Sequence, residues 1–388
     1  MQNTTDNAND VFAFRSLRLF SFAALLMISL LSTISLADEI QFEQGGVEYT
    51  KQGRVLVEAQ DGGVLFMAND GKLWLVQGSE LKKREDNEST RKLLDSKKLG
   101  EEILKEMPDG FKIYTTKHFV ICYNTSRDYA KWVGSVYERL YRGFNAHWTR
   151  KRRWKIEDAE GPLPVLLFRS KPEYTRYLKK ELGDDAGETI AYYNLLTNRV
   201  AMYDLTGIES PSDVQIKRFV SNRSAHNMIA TVVHEGTHQL IFNTGIQTRL
   251  ADSPLWVNEG MAMYFETPDL TNNNGWKKIG VLNKPRLLQF RRNMSAGKVY
   301  EIEDVIRSDQ VFRDGATASD AYAQAWALNY YLFNKHSKKY VEYLQLLSEK
   351  KTLVEVTPEE RLRDFKSVFG DDTAKLQQDF FTYIRRIR

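Results

Sequence analysis

Cysteine is almost absent from this chain, because Cys122 is the only one among 388 residues. A single thiol cannot form an internal disulfide, so a disulfide framework is excluded and stability has to come from a hydrophobic core. Cys122 lies in the apolar run HFVICY, residues 118–123. We expect a buried small hydrophobic side chain there rather than a nucleophile.

A strong excess of charge of one sign is also missing, since 55 Lys and Arg residues against 51 Asp and Glu residues give a net charge of +4. So mild an excess gives no reason to expect a nucleic acid partner. The basic run RKRRWK, residues 150–155, could bind a polyanion, but a solvated surface is the favoured interpretation. We therefore predict no nucleic acid partner.

The N-terminus differs from the rest of the sequence. Arg15 and Arg18 precede an uncharged, mostly apolar run of 18 residues, 19–36, which meets Ala37 in the small-residue pattern SLA. This pattern predicts a secretory signal peptide, residues 1–37, and hence an exported protein, periplasmic or secreted. The alternative is an uncleaved segment, because 18 residues reach the lower limit of a bilayer span. Membrane association is expected only in that case.

Hydrophobic pattern and composition divide the remainder of the chain. Short alternating runs punctuated by AspGly and GlyGly pairs predict a small β-rich domain over residues 38–85. The crowded charges that follow predict a linker with a helix over residues 86–109. The main domain is predicted over residues 110–388, with an α/β part over 110–210, two helices over 211–270 and a helical part over 285–388. The expected fold class is α+β.

Two of the six histidines stand four apart around a glutamate in TVVHEGTHQLIF, residues 231–242. Residues four apart lie on one face of a helix, so His234 and His238 can present imidazole nitrogens to one ion at about 2.0–2.1 Å. Glu235 then lies beside the ion, where it can take a proton from a water that the ion activates. The apolar residues around the motif and Gly245 after it favour a buried helix.

A catalytic zinc site needs a third protein ligand, and the run LWVNEGMAMYFE, residues 255–266, supplies a candidate. Ser253 is a suitable cap and Pro254 a suitable first residue for a second helix. A short connection favours antiparallel packing, which turns Glu259 back toward the first helix. Two histidines and one carboxylate leave the fourth position of Zn²⁺ open, as in a catalytic rather than a structural site.

Two other interpretations of HEGTH remain open from the sequence. The motif could be a coincidental pair of helix-surface histidines, although the matched NEG helix after it argues against that. The protein could also be a catalytically inactive zinc- or peptide-binding protein of the cell envelope. Every residue that the chemistry needs is present, which favours catalysis, because a pseudoenzyme would more often have lost Glu235.

HEGTH followed by WVNEGMAMYFE resembles the gluzincin zinc metallopeptidases (peptidase MA-like, with HExxH and a later Glu), in particular their aminopeptidase-like branch. The resemblance covers about residues 110–345, with its specific motifs confined to these two stretches. The 20 residues between His238 and Glu259 are two more than is usual in that branch, so the connecting loop has to absorb them. The signal peptide, the small β unit and YAQAWAL downstream also make the chain resemble a family of exported bacterial proteins labelled domain of unknown function 1570.

The gluzincin resemblance implies a zincin-like metallopeptidase domain. Its expected features are a mixed sheet with an edge strand over residues 198–205, two zinc helices beneath that sheet, and a helical C-terminal part that returns over the cleft. It further implies Zn²⁺ held by His234, His238 and Glu259, and hydrolysis of peptide or protein substrates with Glu235 as the general base.

The same resemblance implies a tyrosine that donates its hydroxyl to the oxyanion. Tyr322, in SDAYAQAWAL, lies 63 positions after Glu259 and is the candidate, with Tyr264 as a weaker alternative. The competing interpretation of Tyr322 is plain core packing on a helix.

The chain departs from the aminopeptidase-like branch in one respect. That branch recognises a free amino terminus through a glutamate upstream of the zinc helix, and the corresponding strand here, RVAMYD, residues 199–204, has no glutamate. Asp204 could substitute for it. Endopeptidase and aminopeptidase therefore both remain open, and an endopeptidase could bind its substrate along this strand by β-augmentation.

Two further residues near the motifs invite an interpretation. His226, eight positions before His234, is expected at the helix start or as a partner of a ligand, because a fourth protein ligand would close the site. Glu266, seven positions after Glu259, could hydrogen-bond a ligand imidazole. A solvated surface glutamate is the default expectation for Glu266.

Overall fold

The computed structural model describes residues 36–90, 92–183, 189–222, 225–267 and 279–388. Within these residues the chain is α+β, with two five-stranded sheets followed by a largely helical C-terminal part. The predicted signal peptide, residues 1–37, lies outside them, except that Leu36 and Ala37 are the first two residues of the first strand. Across the described ranges every helix is too short or too polar for a bilayer span.

The first sheet is antiparallel, with the spatial order β4-β3-β2-β1-β5. Its strands are β1 (Leu36–Gln44), β2 (Val47–Glu58), β3 (Val64–Ala68), β4 (Leu73–Val76) and β5 (Leu81–Thr90). The β1–β2 turn contains Gly45 and Gly46, whose φ angles of 61° and 75° suit glycine. The small β-rich domain that the glycine-punctuated pattern predicts is therefore built from five strands.

The predicted linker begins too early, because strand β5 continues past residue 85 to Thr90. The run LKKREDNEST pairs antiparallel with β1 along its length. The side chains of residues 82–86 are exposed, and β5 is an edge strand, where charged side chains discourage pairing with another chain. The helix predicted within this region is present as α1 (Ser96–Glu106), capped by Asp95, whose carboxylate accepts from the N–H groups of Lys97 and Lys98.

The second sheet is mixed, with the order β6-β7-β8-β10-β9. Its strands are β6 (Lys112–Thr115), β7 (Phe119–Tyr123), β8 (Leu163–Phe168), β9 (Ala191–Tyr193) and β10 (Val200–Tyr203). Strands β7, β8 and β10 are parallel, and the two edge strands β6 and β9 are antiparallel to their neighbours.

The prediction of an edge strand over residues 198–205 is wrong. Strand β10 is hydrogen-bonded on both sides, to β8 and to β9, so it lies inside the sheet. The edge is taken by β9, which has only three residues. A strand that short shows no alternation that sequence periodicity could reveal.

Helices surround the second sheet and form the C-terminal part. In the α/β part, α2 (Arg127–Ala146) continues into a π-helical turn (His147–Arg152), and α3 (Lys171–Leu182) follows β8. The later helices are α4 (Asp213–Val220), α5 (Ala225–Asn243), α6 (Leu255–Glu266), α7 (Lys284–Ser295), α8 (Ile302–Arg307), α9 (Gln310–Arg313), α10 (Ala318–Lys335), α11 (Ser337–Ser348), α12 (Pro358–Phe369) and α13 (Thr373–Arg386).

The basic run at residues 150–155 is solvated only in part. Arg150 and Arg153 are exposed, as a solvated face requires. Arg152 instead turns inward and donates to the carbonyl of Phe333 at 2.9 Å and to the hydroxyl of Tyr264 at 3.1 Å. One cation of the run therefore joins the π-helical turn to α6 and α10.

The N-terminal sheet packs directly on the main domain. Leu73, at the start of β4, donates its N–H to the carbonyl of Leu196 at 2.7 Å. The guanidinium of Arg249, in the loop before α6, donates to the carbonyl of Gly71 at 3.0 Å. Apolar residues from both parts form one cluster, which contains Leu65, Met67, Leu73, Leu196, Leu250 and Leu353. The small β domain is thus held against the loop that joins α5 to α6.

Helices α6 and α10 cross closely at Gly260. A Cβ atom there would lie 1.9 Å from Nδ2 of Asn329 and 2.6 Å from the carbonyl oxygen of Ala325. The same amide group of Asn329 donates to the carbonyl of Trp256 at 2.9 Å. The glycine of the NEG segment is therefore required for the approach of α10.

We expect Gly260→Ala to destabilise the protein by about 1–3 kcal/mol, because the added methyl group must push α10 away from α6. Gly315→Ala is the control, since a Cβ atom there meets nothing within 4 Å. Urea unfolding followed by far-UV circular dichroism measures both variants. Equal unfolding midpoints for the two would contradict the close crossing.

Candidate metal centre

Helix α5 carries the HEGTH motif through the interior of the main domain. The apolar residues that flank the motif, Ile229, Val232, Val233, Leu240 and Ile241, are all fully buried. Gln239 attaches the helix to the sheet, because its side-chain amide donates to the carbonyls of Pro164 and Asn198 at 3.0 and 2.8 Å. The buried helix that the sequence predicts is therefore confirmed.

Gly236, the middle residue of HEGTH, is required by packing. A Cβ atom at this position would lie 2.5 Å from the ring of Tyr137 in α2. The hydroxyl of Tyr137 donates to the carbonyl of Val232 at 3.1 Å. Tyr137 therefore packs against the turn of α5 that carries the histidines. No sequence motif predicts this contact.

Helix α6 brings the third candidate ligand, and all twelve of its residues are buried. The predicted start is one residue early, because Pro254 is the N-cap and Leu255 the first helical residue. Ser253 does not cap the helix. Instead Oδ1 of Asp309 accepts from the N–H of Leu255 at 2.9 Å across 54 positions of sequence, a separation that no local pattern can reveal.

The three predicted ligands converge on one point. Nε2 of His234 lies 3.1 Å from Nε2 of His238 and 3.2 Å from Oε2 of Glu259. Nε2 of His238 lies 3.6 Å from Oε1 of Glu259. Three donors on a tetrahedral zinc ion with bonds of about 2.0–2.1 Å stand about 3.3–3.4 Å apart. The spacing of these nitrogen and oxygen atoms therefore fits Zn²⁺.

Antiparallel packing of α5 and α6 produces this convergence. Glu259 contacts both His234 and His238. Glu266, two turns further along α6, contacts His234, which comes first of the two along α5. The two helices therefore run in opposite directions, as the short connection between them predicts.

The buried carboxylates of the cluster favour positive charge beside them. Burial alone would raise the pKa of the fully buried Glu259, but the electrostatic attraction of His238 and the hydrogen bond to His234 outweigh it and lower that pKa to about 2. Burial alone would lower the pKa of His234, but hydrogen bonds to Glu259 and Glu266 hold it well above its usual value. Two buried carboxylates at one place need positive charge between them, which a divalent ion would supply.

Glu266 is a partner of a candidate ligand, and the default expectation of a solvated surface glutamate is wrong. Its Oε2 lies 2.6 Å from Nδ1 of His234, and the residue is only 8% exposed. Its Oε1 accepts from the side-chain amide of Asn283 at 3.3 Å. A carboxylate on Nδ1 fixes the ring so that Nε2 would face an ion bound by the cluster, which is the usual arrangement for a histidine bound to zinc.

The two candidate tyrosines occupy different surroundings. Tyr322 lies in the first half of α10, 6% exposed, with its ring edge-on to Phe312 at 5.7 Å. Its role toward the oxyanion stays a prediction. Tyr264 forms other contacts: its hydroxyl accepts a hydrogen bond from Arg152, and its ring packs on Phe333 with 4.5 Å between the ring centroids.

The carboxylate of Asp204 accepts hydrogen bonds within the loop that follows β10. Its Oδ1 accepts from the N–H of Thr206 at 2.9 Å and from the hydroxyl of Thr206 at 2.6 Å. The hydroxyl of Thr125 donates to its Oδ2. With the side chain buried among these donors, Asp204 stabilises a turn and is poorly placed to receive a free amino terminus.

Two remaining residues have simple positions. Cys122 is fully buried in β7, where burial raises the pKa of its thiol to about 12, so the expectation of a buried side chain is confirmed. His226 is half-buried in the first turn of α5, two turns before His234. Within the described residues, the group of side chains suited to hold a metal ion is His234, His238 and Glu259.

Residues 228–354 match the model of a family described as "Protein of unknown function (DUF1570)". The matched stretch contains His234, Glu235, His238, Glu259 and Tyr322. No curated protein matches the chain. The match supports the resemblance to the family of unknown function, and the description of that family names no activity.

We expect Glu266→Ala to weaken zinc binding about 10–100-fold, because His234 loses the carboxylate that orients its ring. Competition with a chromogenic chelator measures the affinity. Glu138→Ala is the matched control, since Glu138 contacts Nδ1 of His118 at 2.9 Å in the same way, and His118 is not one of the candidate ligands. Equal zinc affinities of the two variants would show that Glu266 does not support the site.

Proposed function

We propose that the protein is an exported zinc-dependent peptidase of the gluzincin type, which hydrolyses peptide bonds in peptide or protein substrates. The observation that supports this most strongly is the convergence of His234, His238 and Glu259 with the spacing of zinc ligands. Glu235 is adjacent to the first ligand on α5, where a general base is needed. The cluster leaves the fourth position of a tetrahedral ion for a reacting molecule.

The residues of the site divide the chemistry between them. A zinc ion held there would supply a Lewis acid that acidifies a water molecule and polarises the scissile carbonyl. Glu235 accepts the proton of the attacking water and passes it to the leaving amine. Glu266 keeps the ring of His234 oriented, and Tyr322 donates its hydroxyl to the oxygen on which negative charge develops.

We propose that the substrate binds along β9 rather than along β10, the strand that the sequence suggests. Strand β10 is hydrogen-bonded on both sides, so a peptide cannot pair with it. Strand β9 is the last in the sheet order, and its Tyr193 packs on Phe242 of α5. An extended peptide can pair with such an edge by β-augmentation. The engagement of Asp204 by its own loop favours an endopeptidase over an aminopeptidase.

One observation favours a second candidate function. His234, Glu235, His238 and Glu259 are between 0% and 3% exposed, so little of the cluster is accessible from solvent. A protein that binds zinc, or binds peptides elsewhere, without turnover has no need of an open cleft. The alternative is therefore a catalytically inactive zinc- or peptide-binding protein of the cell envelope.

Glu235→Gln separates these functions. The substitution keeps the shape of the side chain and removes its basicity, so we expect zinc content to stay at the wild-type value while hydrolysis falls about 10²–10⁴-fold. Cleavage of a proteome-derived peptide library, followed by mass spectrometry, measures hydrolysis without a guess at the substrate. Glu342→Gln, an exposed residue of α11, is the control for the purified protein.

The outcomes are distinct. Cleavage by the wild type and the control, with none by Glu235→Gln, supports the peptidase. Undiminished cleavage by Glu235→Gln would reject Glu235 as the base. Zinc in all three proteins with cleavage by none would favour the inactive zinc-binding protein.

A further inference from the structure

Three charged side chains meet at the N-terminus of α6. Asp252 lies in the loop between α5 and α6, Asp309 precedes α9, and Arg361 belongs to α12. The guanidinium of Arg361 contacts Oδ1 of Asp309 at 3.1 Å and forms a second ion pair with Asp252. The side chains of Arg361 and Asp309 are 10% and 8% exposed, so the pair is largely shielded from water and from screening by salt.

Asp309 joins this cluster to the backbone of α6. Its Oδ1 accepts from the N–H of Leu255 at 2.9 Å. Pro254, the N-cap residue, makes no side-chain cap hydrogen bond. A carboxylate at this end also interacts favourably with the helix dipole. The first turn of α6 is therefore fixed by a distant carboxylate rather than by a local cap.

The loop before α6 is tied to the same region of the chain. Oδ2 of Asp252 accepts from the N–H of Val356 at 2.8 Å. Ala251 forms an isolated β-bridge with Thr352. Both contacts join the loop to the segment that leads into α12, so Arg361 and the loop are held as one unit.

The contact between Asp309 and Leu255 lies close to the candidate ligand Glu259. Glu259 is four residues after Leu255, which is about 6 Å along the helix axis. Because all twelve residues of α6 are buried, the helix transmits a displacement of its first turn to Glu259 rather than absorbing it. Zinc–ligand distances tolerate changes of only about 0.2 Å.

We propose that Asp309 and Arg361 are positioning residues of the metal centre, which fix the first turn of α6 and so hold Glu259 against His234 and His238. This inference rests on the proposed zinc site and adds to it a requirement for α12. The metal centre then depends on α12, whose Arg361 follows Glu259 by 102 positions.

The test is the zinc affinity of the purified protein and of three variants. Asp309→Ala and Arg361→Gln are expected to raise the dissociation constant for zinc about tenfold or more, as loss of supporting contacts does in other zinc sites. Asp309→Asn keeps an oxygen acceptor for Leu255 and is expected to lose less affinity than Asp309→Ala. Asp95→Ala is the matched control, because Asp95 caps α1, which carries none of the candidate ligands.

The visible absorption of the cobalt-substituted protein provides a readout that general destabilisation does not move. Loss of Glu259 would leave two protein ligands and let more water bind a cobalt ion, and a cobalt ion with a higher coordination number absorbs visible light more weakly than a tetrahedral one. We expect weaker absorption in folded Asp309→Ala and Arg361→Gln and an unchanged spectrum in Asp95→Ala. Far-UV circular dichroism without metal establishes that each variant is folded.

Each outcome decides the inference. Reduced zinc affinity and weaker cobalt absorption in each variant that folds, with the control unchanged, support it. Wild-type affinity or wild-type cobalt absorption in either folded variant overturns it while leaving the zinc site intact. Unfolding of both variants without metal also overturns it, because the residues would then hold the whole domain. A wild-type protein that binds no zinc rejects the proposed function itself.

Discussion

The contact between one buried carboxylate and two imidazoles is the constraint on which the structure depends. Glu259 is fully buried, and its oxygens lie 3.2 Å from His234 and 3.6 Å from His238. An ionised carboxylate in such a place is stable only beside positive charge and hydrogen bonds. Helices α5 and α6 must therefore keep one antiparallel register, and a small displacement of either would leave a buried charge without compensation.

Residues from distant parts of the chain hold that register. Tyr137 of α2 packs on Gly236 in α5, and Asn329 of α10 packs on Gly260 in α6. The N-terminal sheet reaches the loop between the two helices through Arg249, which donates to the carbonyl of Gly71. The small β domain and the helical C-terminal part thus meet around the same two helices. In this arrangement the stability of the fold and the geometry of the candidate site depend on the same contacts.

The sequence was informative where a signal is local. The four-residue spacing in HEGTH predicted a helix with both histidines on one face, and the NEG segment predicted a partner helix carrying Glu259, as the structure has them. Features that arise between distant segments were out of reach. Strand β9 has only three residues, so β10 was predicted as the edge strand. The exposed charges of β5 were interpreted as a linker. The cap of α6 comes from Asp309, 54 positions away in the sequence. Glu266 was only an alternative, because its burial depends on tertiary packing.

Metal content tests the central claim most directly. We predict that elemental analysis of the purified protein gives one zinc ion per chain, and that zinc disappears in His238→Ala while that variant keeps its helical circular dichroism. This result would establish the cluster of His234, His238 and Glu259 as a metal centre. A folded wild-type protein that holds no zinc, even after dialysis against it, would contradict the account and make HEGTH a structural element of α5.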